Sequence, residues 1–215
     1  MPDLEFAVDS VSVVGGSLTP LLSFDLRVAE MDGGDVDTVV LSCQIMIDAV
    51  RRPYAAGEQE ALLDLFGAPS RWGTTLKTML WTHASMTVPA FSGETVAKLR
   101  VPASFDLSLA AAKYFFALED GEVPLTFQFS GTVFYRDLDG FLAIDRIAWT
   151  KEARFRLPVS VWHDLTEQHY PDGAWLCLRR DVFDRLYRYR SRRGSATWEA
   201  VVEELLENSS SGALP

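Results

Sequence analysis

Short segments in which apolar and polar residues alternate, each cut off by a turn, constrain this sequence more than any other feature. Leu4, Phe6 and Val8 alternate with Glu5, Ala7 and Asp9, and after Gly15-Gly16 the residues Leu22, Phe24, Leu26 and Val28 alternate with Ser23, Asp25, Arg27 and Ala29. A period of two sends one set of side chains to a buried face and the other to solvent, as in a half-buried β-strand. Val39, Leu41, Cys43, Ile45 and Ile47 form a third such run. The short turn Met31-Asp32-Gly33-Gly34-Asp35 predicts that the second and third strands make an antiparallel hairpin. Further strands are predicted over Thr82–Val88 and Thr95–Val101, with a turn at Gly93. The aromatic-rich run Leu125, Phe127, Phe129, Thr132, Phe134 and Tyr135 leads through Asp139-Gly140 to Phe141, Ala143, Asp145 and Ile147, and Phe155 with Leu157 closes a shorter strand. About eight or nine strands with short connections predict an antiparallel sandwich or curled sheet, not a doubly wound nucleotide fold.

The period changes elsewhere. Ala61, Leu62, Leu65 and Phe66 share one face of a helix over 57–66, stopped by Gly67 and Pro69. Near residue 110 two readings stay open: Ser108 caps a helix through Ala110, Ala111, Ala112, Tyr114 and Phe115, whereas Phe105, Leu107 and Leu109 alternate as in a strand. From Pro158, suited to a first helical turn, Val161, Trp162 and Leu165 take helical spacing until Tyr170-Pro171-Asp172-Gly173. Trp175, Cys177 and Arg179 read as a brief extended stretch, and Val182, Phe183, Leu186 and Tyr187 mark an amphipathic helix running to Arg193 before Gly194. Thr197 caps a last helix, on which Trp198, Val201, Val202, Leu205 and Leu206 form a full apolar stripe. The predicted class is α+β: an antiparallel β-rich domain over 1–157, a helical segment over 158–208 packed on it, and a disordered tail over 209–215.

Composition narrows the function classes. With 215 residues, 48% of them hydrophobic and 23% charged, the chain has the make-up of an ordinary folded domain. At this size it buries roughly 70% of its unfolded surface and needs no disulfide or metal staple. The start Met-Pro-Asp-Leu-Glu lacks the basic and apolar regions of a signal peptide, and no apolar run approaches the ~18 residues of a membrane span. Cys43 and Cys177 each stand alone in apolar runs, as buried thiols of a reducing compartment do, so a cytoplasmic location is expected. A net charge of −10 argues against nucleic acid as a partner. The charge is uneven, however. Residues 1–50 hold nine acids against Arg27, whereas residues 179–193 hold seven arginines against Asp181 and Asp184.

No nucleophile elbow, zinc-protease, Walker or dinucleotide-binding pattern is present. His163 and His169 are six residues apart and do not share a helical face, and His83 sits in a strand between Trp81 and Ser85. Asp137-Leu-Asp139-Gly140 lacks the later acids of a calcium loop and reads as a hairpin turn. The expectation is therefore no catalytic residue, no cofactor and no metal. The arginine cluster is the most unusual feature. One reading is a solvated helix face, with the late arginines favourably placed at a helix C-terminus. The other is a contact surface for an acidic polypeptide, with Arg179, Arg185, Arg188 and Arg192 as its charges and Phe183 and Tyr187 as its apolar contacts.

Several stretches resemble an uncharacterised actinobacterial family, the domain of unknown function numbered 6084. They are Met1-Pro-Asp-Leu-Glu-Phe6, Leu65-Phe-Gly, Arg71-Trp-Gly, Leu80-Trp-Thr-His-Ala-Ser85, Ala111-Ala-Lys-Tyr-Phe115, Ser130-Gly-Thr-Val-Phe-Tyr135 and Lys151-Glu-Ala-Arg-Phe-Arg-Leu-Pro158. That resemblance implies an accessory role beside nickel-iron hydrogenase genes, and no catalytic residue. Leu157-Pro158, Asp164-Leu165, Tyr170-Pro171, Leu176, Leu178 and Phe183-Asp184-Arg-Leu-Tyr187 are similar to the end of the SecB-type export chaperones. This second resemblance implies an oligomer that holds unfolded chains in apolar grooves, although the inserted strands and the arginine-rich last helices depart from that pattern. The reading is a non-catalytic polypeptide-binding accessory or chaperone-like protein that forms homo-oligomers. The alternative is a small-ligand binder or enzyme using Trp72, Trp81, Phe127, Phe129, Phe134 and Tyr135 in the β-domain.

Overall fold

The computed structural model describes residues 2–104, 109–171, 173, 176 and 178–211. Its strands are β1 (Leu4–Val13), β2 (Leu21–Glu30), β3 (Asp35–Ile47), β4 (Met79–Val88), β5 (Phe91–Ser92), β6 (Glu94–Pro102), β7 (Glu122–Arg136), β8 (Leu142–Arg146) and β9 (Glu152–Pro158). The helices are α1 (Ala56–Ala61), α2 (Leu63–Phe66), α3 (Trp72–Thr75), α4 (Leu109–Phe116), α5 (Val159–His169), α6 (Arg180–Arg193) and α7 (Trp198–Ser211). The chain divides into two compact units, residues 1–173 and 174–215, so α5 belongs with the sheets. The α+β class with mainly antiparallel sheet and C-terminal helices is the observed one.

The first unit is an antiparallel sandwich. One sheet has the order β1-β2-β6; the other runs β4-β3-β7-β8, with β5 on β3 and β9 on β7. The expected hairpin between the second and third strands does not form: β2 pairs with β1 and β6, and β3 with β4, β5 and β7. The turn that suggested a hairpin instead carries the chain from one sheet to the other. The buried Glu30 carboxylate accepts from the amides of Asp32 (3.1 Å), Gly34 (2.7 Å) and Asp3 (3.2 Å), which fixes that crossing. Burial opposes ionisation of Glu30, but these backbone donors outweigh it and hold the carboxyl below its usual range.

The inward-facing residues of both sheets meet in one core. Phe6 stacks on Phe129 at 4.4 Å between ring centroids, and Phe24 meets Phe127 edge-on at 5.2 Å. Trp81, Phe127 and Phe129, considered above as pocket lining, are core residues at 5%, 0% and 2% exposure. α4 and α5 add Phe115 and Trp162, stacked at 4.3 Å, against Trp81. α4 settles the ambiguity at residue 110 in favour of a helix, because Ala111, Tyr114 and Phe115 can then share one buried side. The Ser108 cap and the Phe105 and Leu107 alternation lie outside the described residues. The helix over 57–66 is two short pieces, α1 and α2, ended by Gly67 at φ 72°. Gly131 is a tight spot in β7: its φ is 146°, and a Cβ there would stand 2.1 Å from the Val40 carbonyl oxygen.

The second unit is a helical hairpin of α6 and α7. Gly194 in the left-handed conformation ends α6, and Thr197 Oγ1 accepts from the Ala200 amide at the start of α7. Trp175 and Cys177 lie outside the described residues, as does the tail from residue 212; α7 extends to Ser211.

Candidate functional site

Three concavities differ in whether their polar groups have partners. A cleft of about 540 Å³ in the sandwich is lined by Arg52, Tyr54, Glu58 and Asp120 among others. Arg52 and Glu58 are 8% and 3% exposed and form a bidentate pair of 2.8 and 2.7 Å. Arg52 also donates to the carbonyls of Pro53 and Asp120, and Glu58 accepts from the amides of Ala55 (2.9 Å) and Glu119 (3.0 Å). Burial alone would raise the Glu58 carboxyl, but the Arg52 hydrogen bonds and the two amides lower it to about 2. Beside it, the Tyr54 hydroxyl donates to the Ala49 carbonyl at 2.7 Å and meets the Tyr114 hydroxyl at 2.8 Å. This network ties the α1 region to the turn before β7. It commits both terminal nitrogens of Arg52 and both Glu58 oxygens within the fold.

A neighbouring concavity of about 520 Å³ is lined by Arg51, Arg154 and Arg156 with Asp48 and Phe155. Each of these arginines has an acidic neighbour: Asp48 at 4.0 Å, Glu152 at 3.3 Å and Glu122 at 3.8 Å, respectively.

The third is a groove of about 460 Å³ on the helical hairpin, lined by Val182, Arg185, Leu186, Arg188, Tyr189, Arg192 and Leu205. Residues 182, 185, 186, 189 and 192 recur at helical spacing, so α6 turns one face into the groove while α7 contributes Leu205. No ion pair joins Arg185, Arg188 or Arg192 to a carboxylate among the described residues. The other ends of α6 differ: Arg179 meets Asp181 at 3.1 Å, Arg180 meets Asp184 at 3.7 Å, and Arg193 meets Glu204 of α7 at 2.9 Å. Tyr189 also donates to Glu204, at 3.0 Å, which holds the two helices in register.

The sequence-derived contact residues therefore separate. Arg185, Arg188 and Arg192 are brought together. Phe183 and Tyr187 lie instead in an aromatic cluster with Trp198 of α7, at 5.6 and 6.2 Å, over which the Arg190 guanidinium lies 4.1 Å from the Trp198 ring. Arg179 stands before α6, exposed and paired. Sequence reasoning passed over Tyr189 and Leu205 as groove residues; a helical projection of α6 would have found Tyr189. The α7 stripe is only partly covered, with Val201 at 0% exposure but Val202, Leu205 and Leu206 at 40%, 39% and 61%.

The histidines are dispersed. His83 faces outward on β4 opposite Gln44, His163 Nε2 lies 3.2 Å from the Leu118 carbonyl, and His169 Nδ1 lies 2.9 Å from that of Leu165. Cys43 is buried, and burial pushes its thiol up to about 12. Among the described residues no group of three or more His, Cys, Asp or Glu is placed to hold a metal ion. No described helix is long and apolar enough to cross a membrane.

The sequence profile of the Family of unknown function (DUF6084) matches residues 1–213. No curated protein matches the sequence. Among solved structures, the chain is similar to the CARDB domain of a Pyrococcus furiosus protein in complex with di-metal ions, at 11% identity and TM-score 0.28, covering 73% of this chain and 87% of that one. A protein assigned to the late embryogenesis abundant (LEA) class gives 15% identity and TM-score 0.32, covering 74% and 73%. A β-glucosidase from Kluyveromyces marxianus gives 8% identity and TM-score 0.27, covering 72% of this chain and 15% of that one. Likenesses this weak carry no argument about function.

Proposed function

The chain belongs to this family over residues 1–213, and from its geometry we propose that it is a non-catalytic, polypeptide-binding accessory protein. The observation that carries the reading is the α6–α7 groove, where Arg185, Arg188 and Arg192 line an apolar floor of Val182, Leu186 and Leu205 without carboxylate partners among the described residues. Guanidinium groups left in this state suit bidentate contacts to the carboxylates of a second polypeptide, and the floor supplies apolar area for its aliphatic side chains. The occupant is an acidic segment with interspersed apolar residues. Because the molecule carries a net charge of −10, the basic island also orients an acidic partner that the rest of the surface repels.

A chaperone-like role in the cytoplasm of an actinobacterium, in support of nickel-iron hydrogenase assembly, is the finer form of this proposal. It rests on the family resemblance and on the similarity of the C-terminal part to SecB-type chaperones. A ligand-binding reading of the sandwich is less well supported, since Arg52 and Glu58 in the cleft beside α1 already satisfy each other.

The test compares the full chain with its Arg185→Glu, Arg188→Glu, Arg192→Glu variant as baits in the native cell, followed by titration of the purified captured partner. The expected result is a partner with an acidic contact segment, bound at least about tenfold more weakly by the variant. Equal binding by both forms at low and moderate salt would overturn the reading.

A further inference from the structure

The β8 edge of the larger sheet points to a second copy of this chain. β8 is the last strand on that side of the sheet and, among the described residues, pairs only with β7. The flanking hydrogen bonds, Asp137 N to Phe141 O at 2.9 Å and Ile147 N to Gly131 O at 3.1 Å, share the register that sets Val133 opposite Asp145 and Tyr135 opposite Ala143. In an antiparallel ladder, alternate residues turn their backbone groups to the neighbour. Ala143 and Asp145 therefore face β7, and Leu142, Ile144 and Arg146 turn their amides and carbonyls to the open edge. The Arg146 amide is already taken, donating to its neighbour Asp145 Oδ1 at 2.8 Å. That leaves the backbone of Leu142 and Ile144 without a partner among the described residues.

The side chains along this edge are apolar and exposed: Leu142 60%, Ile144 62%, Phe141 71% and Leu138, at the turn, 106%. An unpaired edge with an apolar face is a template for another strand. The pattern is also self-complementary. With the strands antiparallel about a two-fold axis at Ala143, Leu142 of one copy stands opposite Ile144 of the second and exchanges two hydrogen bonds with it, and symmetry repeats the exchange. An axis at Ile144 would instead require the amide that Asp145 has taken. In the Ala143 register Arg146 falls opposite the turn of the second copy, where Asp137 and Asp139 stand, and this charge pairing also occurs twice. The segment 136–146 is nearly neutral, with three acids against two arginines, so two acidic molecules can meet there without concentrating like charge.

We propose that the protein is a homodimer formed by antiparallel β8–β8 pairing about Ala143, which joins the two larger sheets into one. This inference is independent of the helical groove. Its test uses the full chain. Sedimentation velocity from micromolar to hundred-micromolar concentration is expected to show a dimer, and Ile144→Lys to weaken it at least about tenfold with unchanged circular dichroism. In a Cys177→Ser background, Ala143→Cys is expected to cross-link two copies on mild oxidation. Facing residues of a non-hydrogen-bonded pair stand about 4.5 Å apart at Cα, within disulfide reach. Thr150→Cys, exposed but off the axis, is expected to stay unlinked. A wild-type protein that remains monomeric throughout, or a dimer that neither Ile144→Lys weakens nor Ala143→Cys cross-links, would overturn the proposal.

Discussion

Arg52 in the sandwich and the arginines of α6 show what one residue type does in two regions of the molecule. Arg52 is enclosed: its guanidinium meets Glu58 through two parallel bonds, and two backbone carbonyls accept further hydrogen bonds from it. Arg185, Arg188 and Arg192 line a groove with no carboxylate partner among the described residues. A buried charge must be satisfied by the fold itself, because desolvation costs several kcal/mol per ion. An exposed charge keeps its water and remains available to a partner. The difference separates a buried network, whose polar groups are used up within the fold, from a groove whose charges are left open.

The largest effect is expected at Arg52. Arg52→Ala strands the Glu58 carboxylate in a buried site, and the expected loss of stability is about 3–5 kcal/mol. Thermal or denaturant unfolding followed by near-ultraviolet circular dichroism of the sandwich aromatics measures it. A loss below about 1 kcal/mol, the scale of an exposed pair, would mean that the pair is not integral to the fold.

Acid probes the same pair from the carboxylate side. The folded Glu58 carboxyl lies at about 2, below its ordinary value of 4.5. A lowered folded value stabilises the protein above the unfolded value, and the contribution is lost as pH falls from about 4.5 through 2. It amounts to about 3 kcal/mol. Stability curves across this window should show that loss in the wild type and a smaller one in Glu58→Gln, itself less stable at neutral pH. Parallel curves for the two proteins would place the acid sensitivity elsewhere.

Within the helical unit, Arg190 over Trp198 is the engaged arginine. Arg190→Ala should cost about 0.5–1 kcal/mol, as a cation–π contact at an exposed site does, read as lower helicity of the C-terminal unit on heating. The smallest effect is expected at the groove. Arg185→Gln, Arg188→Gln and Arg192→Gln should each stay within about 0.5 kcal/mol of the wild type. A large loss on neutralising them would show that the groove arginines support the hairpin and would erase the contrast with Arg52.

Several elements were legible because their cause is local. The alternation in Leu22, Phe24, Leu26 and Val28 needs only the period of a strand, and each of these residues is fully buried in β2. Asp139-Gly140 demands a turn, and Gly140 takes φ 82° between β7 and β8. Gly194 and Thr197 end α6 and begin α7 as their backbone and side-chain chemistry require. The arginine-rich helix was visible by composition, but which arginines share a groove depends on where α7 lies. Leu205 enters the groove and Trp198 draws Phe183 and Tyr187 to another face.

By itself the sequence determined the α+β class, the two-residue alternation of the sandwich and the helices that follow it, because periodicity and turn chemistry act over a few residues. Only the tertiary structure decided which strands pair. The turn after β2 is short enough for a hairpin, yet Glu30 binds the Asp32 and Gly34 amides within it and the Asp3 amide before β1, and β3 joins the other sheet. Tertiary structure likewise brought Arg52, Glu58 and the Asp120 carbonyl together across 68 residues of chain and left β8 with an open edge. Long-range pairing is chosen by the burial of whole faces and the satisfaction of buried polar groups, and no local pattern encodes either.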